Sequence, residues 1–177
     1  MNKRIENFAR LAVEFGVNVQ EGEDVLITSP VEAPELARLM TKAAYEKGAR
    51  KVSINWIDDT LTRLSYEYES QETLNEVPDW VVEKSRYQIA EKKSNRISIV
   101  SEDPDLLAGL DEAKISEAIR SRSLKMKDFV KYTMNDIVSW LVISVPSVKW
   151  AEKVFADLKG EDAVNRPVSY THLTLPT

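Results

Sequence analysis

Cysteine is absent from this 177-residue chain, and histidine occurs once, at His172, within an uncharged final stretch of eleven residues, Pro167 to Thr177. No disulfide can form. From Met1 to about Ala163 the chain lacks both side chains that dominate soft-metal ligation and general-base catalysis. Glycine is scarce at five residues, and none lies between Gly22 and Gly48. The loop after the first apolar run therefore has no glycine-rich phosphate cradle of the GxGxxG or Walker type. There is no long apolar run, and the opening MNKRIENFARLAVEF carries acids where a signal peptide would be apolar. A cytoplasmic protein without a membrane partner is expected. Basic residues are not in excess, 24 against 29 acidic for a net charge of −5, so nucleic acid is not an expected partner.

What is present is an alternation of helical and strand periods, with 43% hydrophobic residues, enough for one domain with a sizeable core. Ile5, Phe8, Ala9, Ala12 and Phe15 recur at helical spacing, and Gly16 and Gly22 break the pattern before the strand-like DVLITS. Pro34 suits the first turn of a second helix, with Leu36, Leu39, Met40, Ala43 and Ala44 as its apolar stripe and Gly48 as its left-handed cap. KVSINWI follows as a strand, then a helical stretch through Tyr68, then a helix opened by Pro78 with Trp80, Val81 and Tyr87 on one side. RISIVS is a third strand. A turn at Pro104 leads to one or two helices holding Ile115, Ala118, Ile119 and Phe129. WLVISVP is a fourth strand, and Val148, Ala151, Phe155 and Leu158 outline a last helix before GEDAV begins another. Continuous apolar strands between amphipathic helices predict an α/β fold, a mostly parallel sheet of about four strands flanked by helices on both faces.

In such a sheet ligands bind at the C-terminal ends of the strands. In the first loop, Thr28 and Ser29 are hydroxyls followed by Pro30, with no histidine to act as base, which leaves serine-hydrolase chemistry only a lysine. Asp58 and Asp59 have the chemistry for a hard cation or for acid/base work, but a helix N-cap, with Asp59 paired to Arg63, is the simpler reading. Glu102, Asp103 and Asp105 in SEDPD read as turn and cap chemistry for the same reason. Arg120, Arg122, Lys125, Lys127 and Lys131 are interleaved with apolar residues as a solvated helix face. Trp56, Tyr66, Tyr68 and Trp80 are expected in packing, with a pocket lining as the alternative. His172, between Tyr170 and Thr174, has no partner ligand and receives no role. No catalytic, cofactor-binding or metal-ligating residue is assigned.

Several long segments nevertheless occur in an order that resembles the metallo-aminopeptidase family of aminopeptidase S and aminopeptidase T. They are ENFARLAVEFGVNVQEGEDVLITSPVEAPELARLMTKAAYEKGARKVSINWIDD, LTRLSYEYESQETLNEVPDWVVEK, ISIVSEDPDLLAGLD and WLVISVPSVKWAEKVFADLKGEDAV, together spanning about residues 2 to 164. The resemblance implies that residues 1–164 are the N-terminal α/β domain of a longer cytoplasmic exopeptidase acting on peptides. It implies a site of two divalent metal ions, zinc or cobalt in type, that activates water. The carboxylate and histidine ligands would come from a C-terminal domain whose positions are not in this chain, so the chain alone is expected to be inert. A homodimer is also implied. Residues 165–177, RPVSYTHLTLPT and its preceding Asn165, depart from the family, look like read-through of a foreign gene end, and are expected to lie loosely outside the fold. The alternatives are a small-ligand-binding domain using the 58–59 and 102–105 loops, and a dimerisation module acting through its aromatic surface.

Overall fold

DVLITSP forms β1 (Asp24–Pro30), buried at all but one position, and this burial on two faces makes it an interior strand of a four-stranded parallel sheet. The structure, a computed structural model, describes residues 3–101, 103, 105–145, 148–160 and 162–163. Helix α1 (Lys3–Leu11) precedes β1, and α2 (Pro34–Glu46) carries the chain to β2 (Lys51–Ile57). Helices α3 (Asp59–Tyr68), α4 (Gln71–Asn75) and α5 (Asp79–Ser85) lead to β3 (Asn95–Val100), α6 (Glu112–Met134) leads to β4 (Trp140–Ser144), and α7 (Val148–Val154) follows. The strand order is β2-β1-β3-β4, every pair parallel.

The two faces of the sheet differ in chemistry. Ile54, Ile27, Ile97 and Leu141 sit side by side in register across the four strands. On this face they meet Ala9, Val13, Val17, Ala37, Met40 and Ala44 in one continuous core. The opposite face carries the rows Ser53, Leu26, Arg96, Trp140 and Asn55, Thr28, Ser98, Val142. That polar row corrects the expectation that every strand is an unbroken buried run. Only β1 behaves so; β3 alternates buried and half-buried, and the edge strands β2 and β4 are largely half-buried or exposed.

Local chemistry ends α2 where the sequence places its stop. Gly48 has φ +90°, its N–H donates to the Tyr45 carbonyl at 3.0 Å, and the Ala49 N–H donates to the Ala44 carbonyl at 2.9 Å. This is the paired Schellman arrangement, which needs a left-handed residue and therefore favours glycine.

Two π-helical turns redirect side chains that the helical spacing assigns to the core. At 12–16 the Val17 N–H reaches the Ala12 carbonyl, and this widened turn rotates Phe15 outward, leaving it 74% exposed while Val13 and Val17 are buried. At 86–91 a second wide turn ends α5, burying Ile89 and leaving Tyr87 exposed together with Trp80. The short α4 was not expected; Ser70 caps it by accepting from the Thr73 N–H at 3.1 Å. The helical segment after the third strand is a single helix of 23 residues. The final expected helix is shorter than its apolar spacing suggested, since α7 ends at Val154, before Phe155 and Leu158. Residues 160 and 162–163 begin the further helix read in GEDAV. The turn at Pro104, His172 and the 165–177 tail lie outside the described residues, so the domain boundary at 164 stays an expectation.

Candidate functional site

The chain leaves β1 toward β2 on one side while β3 pairs on the other, so the crevice of this fold opens between the C-terminal ends of β1 and β3. Its walls are the turn after Pro30, the start of α3, the loop after Val100 and the lysines of α7. The Val31 and Ala33 amides donate to the Ile57 and Pro30 carbonyls at 2.9 and 3.1 Å, so the first loop holds its N–H groups inward. Ser29 is fully buried, and its hydroxyl donates to the Pro30 carbonyl. Neither feature offers an anion cradle or an exposed nucleophile.

Of the five acids singled out in sequence, the four described ones divide by role. Asp58 is the N-cap of α3, its side chain accepting from the Leu61 N–H at 3.1 Å, as expected. Asp103 accepts from Lys149 Nζ at 2.7 Å and from the Asp105 N–H at 3.0 Å, and Asp105 pairs with Lys153 at 2.6 Å. The Lys149 hydrogen bond, with further help from the Asp105 backbone and Lys153, holds the Asp103 carboxyl below its ordinary range, and Asp103 in turn raises Lys149. Asp59 shifts the other way: burial raises its carboxyl, and the nearby Glu32 and Asp103 charges add to the effect against Lys149. Glu102 lies outside the described residues.

Arg63 does not pair with Asp59 as expected. It bonds Glu67 at 2.9 Å and donates to the carbonyls of Leu106 and Ala108 at 2.6 and 3.2 Å, tying the loop that follows β3 to α3. A guanidinium that satisfies two loop carbonyls gains more than one exposed i,i+4 pair would supply. The basic residues 120, 122, 125, 127 and 131 are exposed along α6, in keeping with a solvated face. The aromatic group is not core: Trp56, Tyr68 and Trp80 are all exposed and only Tyr66 is half-buried. Their amphipathic sequence context resembles packing, but the strand that bears Trp56 and the helices that bear Tyr68 and Trp80 meet water on that side.

Lys149, Lys153 and Glu32 complete the crevice and were not singled out in sequence. The two lysines stand four apart along α7, a spacing that puts them on one face toward the acidic 103–105 loop. Only the parallel sheet, by bringing the ends of β3 and β4 together, makes that pairing visible.

The arrangement is a charge-paired rim. Among the described residues no three acids, histidines or cysteines come together in a way that could hold a metal ion. Asp58 is spent on capping and Asp103 and Asp105 on lysines, so the acids of the crevice do not fit a two-metal centre.

Comparison with known proteins supplies what the crevice does not. The chain is 37% identical over 164 residues to aminopeptidase AmpS of Bacillus subtilis, covering 93% of this chain and 40% of that protein. It is 34% identical over the same length to aminopeptidase 2 of Geobacillus stearothermophilus, again covering 40% of that protein. The solved structure of wild-type AmpT from Thermus thermophilus superposes with a TM-score of 0.85 at 28% identity, over 93% of this chain and 41% of the other. The chain thus spans about 40% of the length of the relatives it matches. The profile of the thermophilic metalloprotease family M29 matches residues 1–170, and the chain belongs to that family.

Proposed function

We propose that residues 1–164 are the N-terminal domain of a metal-dependent aminopeptidase that removes N-terminal residues from peptides. The observation that carries this reading is the 37% identity to a named aminopeptidase, sustained over 164 residues. The metal ions, a pair of zinc or cobalt type, are held by residues that lie in the other part of the relatives' length, because Asp58 caps a helix and Asp103 and Asp105 are paired with lysines. Bound there, the metal supplies an activated water and polarises the scissile carbonyl. What this domain contributes is a wall: a folded, charge-paired crevice rim beside the reaction.

By itself the chain is inert on peptides, and it acts in the cytoplasm as part of a homodimer. Among the described residues no helix is long and apolar enough to cross a membrane.

An assay with leucine p-nitroanilide in the presence of zinc or cobalt tests the reading. The 177-residue chain should show no hydrolysis above the metal blank. The same domain joined to the remaining length of the Bacillus subtilis relative should hydrolyse the substrate and lose activity to a chelator. Turnover by the short chain, or a joined protein that is folded and silent, would sink the proposal.

A further inference from the structure

Among the described residues β2 pairs with β1 alone, and its free edge runs toward the acids of the crevice rim. In a parallel ladder the N–H and C=O of one residue point to the same side, and successive residues alternate. The Val31 N–H donates to the Ile57 carbonyl at 2.9 Å, in line with the pairing of Pro30 and Ile57. The odd-numbered residues of β2 therefore face β1, and the main-chain groups of Val52, Ile54 and Trp56 face outward. One of these is taken: the Val52 N–H donates to the Tyr45 hydroxyl at 3.2 Å. Among the described residues nothing meets the amides of Ile54 and Trp56.

Proteins close such edges with charge, proline or a covering element, because an open edge is a template for another strand. Here the first half of β2 is closed, by Tyr45 and the exposed Lys51, and the half next to the crevice is open. Trp56 shares the α2 face of the strand with Ile54, and Trp56 and Tyr45 are 46% and 50% exposed. An extended segment laid along the open half would place a side chain beside both rings.

Length and charge say what fits. From Val52 to Trp56 the outward row spans about 13 Å at 3.3 Å per residue, enough for three or four residues of a peptide. A second copy paired antiparallel about Ile54 would need the Val52 amide, so both Tyr45 hydroxyls would have to withdraw. A short peptide needs neither. The edge also changes sign along its length, from Lys51 at the start of β2 to Asp58 and Asp59 after its end, where the Glu32 charge is near Asp59. A peptide with a free ammonium and a free carboxylate complements that gradient when it runs antiparallel to β2, with its N-terminus at the crevice.

We propose that the open half of the β2 edge is a docking strip for short peptides with a free N-terminus. Two peptide residues pair with Ile54 and Trp56 by main-chain hydrogen bonds, an apolar side chain lies against Tyr45 and Trp56, and the ammonium points to the acids at the start of α3. Main-chain pairing accepts many sequences, as strand addition does elsewhere. The strip thus presents peptides N-terminus first to the crevice; it rests on the aminopeptidase reading for its role in presenting substrate.

The tetrapeptide Ala-Leu-Ala-Leu, titrated into the isotopically labelled 177-residue chain without metal, tests the strip by amide NMR. Shifts should be largest at residues 52–57 and saturate. In the antiparallel register the second and fourth peptide amides point at β2 and the third points away. N-methylation of the second or fourth should weaken binding about tenfold, the cost of one lost hydrogen bond, and N-methylation of the third should leave it within about twofold. N-acetylation should weaken binding several-fold, and Asp59→Asn should shrink that penalty.

An absence of saturable shifts at 52–57 with millimolar peptide overturns the proposal. Equal losses from all three N-methyl groups, or none, also overturn it, because a site made by side chains alone lacks the alternation. Shifts at 52–57 that grow with protein concentration and need no peptide overturn it and assign the edge to a second copy. Turnover of leucine p-nitroanilide by the joined protein is scored separately. Peptide seated on β2 with a folded, silent joined protein keeps the strip and discards the functional reading, and turnover without seating does the reverse.

Discussion

At the crevice, two aspartates one strand apart are driven in opposite directions by their neighbours. Asp103 is held ionised by Lys149, so its contribution is present above the ordinary carboxylate value of 3.8 and is lost as pH falls through its lowered pKa. Lys149→Met should therefore be less stable than the parent near neutrality, and the gap should close below about pH 3.8, as followed by urea unfolding at a series of pH values. Asp59 has the reverse sign. Its folded pKa is raised above 3.8 by burial and by Glu32 and Asp103, so its charge costs stability that is absent in acid and grows as pH rises through the raised pKa. Asp59→Asn should match the parent below pH 3.8 and exceed it in stability at neutral pH. A neutral-pH loss for this variant would show that Asp59 serves the helix N-terminus more than it suffers from its neighbours.

Polar groups at the other end of the sheet serve the fold. Glu23 accepts from the Gln20 N–H at 2.8 Å and from Asn95 at 2.6 Å, and the Arg50 N–H donates to the Glu23 carbonyl at 2.7 Å. Arg50 also donates to the buried Asp24. These bonds gather the starts of β1, β2 and β3, and leave Asp24 Oδ1 buried without a hydrogen-bond partner among the described residues.

Among the elements, α2 shows how far local chemistry reaches. Pro34 at its first turn and Gly48 just past its end are both read correctly from sequence, because a cap depends on residues a few positions away. Gly48→Ala should cost about 1–2 kcal/mol in denaturant unfolding, since an alanine at φ +90° is strained and its Cβ would meet the Glu21 backbone at 3.2 Å. An unchanged midpoint would mean that the cap relaxes to another conformation.

Phe15 and Tyr87 mark the limit of the same reasoning. A 3.6-residue period assumes an unbroken α-helix, and a single π turn adds a residue and rotates everything after it. No residue type announces such a turn, so Phe15 reads as core and is solvent-facing. Arg63 fails for a different reason: its partners are carbonyls 43 and 45 residues away, and carbonyls have no signature in a sequence.

At the scale of the whole molecule, exposed apolar side chains are spread over the surface, and one group of them, Met134, Ile137, Trp140 and Val142, lies where β4 and the end of α6 meet. Val142→Lys in the 177-residue chain should leave unfolding stability within about 0.5 kcal/mol of the parent, as for an exposed substitution, while reducing binding of a hydrophobic dye and aggregation at high concentration. A large loss of stability would show that Val142 packs within this chain after all.

The amino-acid sequence by itself determined the class of the fold and much of its punctuation. The alternation of apolar runs with amphipathic helices, the caps at Asp58 and Gly48, and the lack of histidine and cysteine before the tail are all local or compositional, and they survive unchanged in the structure. Tertiary structure alone decided which strands are interior, which way the π turns throw their side chains, and that Lys149 and Lys153 neutralise the 103–105 acids. The physical reason is range. Caps and periods act over one or two helical turns, whereas sheet order and cross-strand charge pairing join residues up to 48 positions apart in that rim, and depend on a geometry no neighbouring residue encodes.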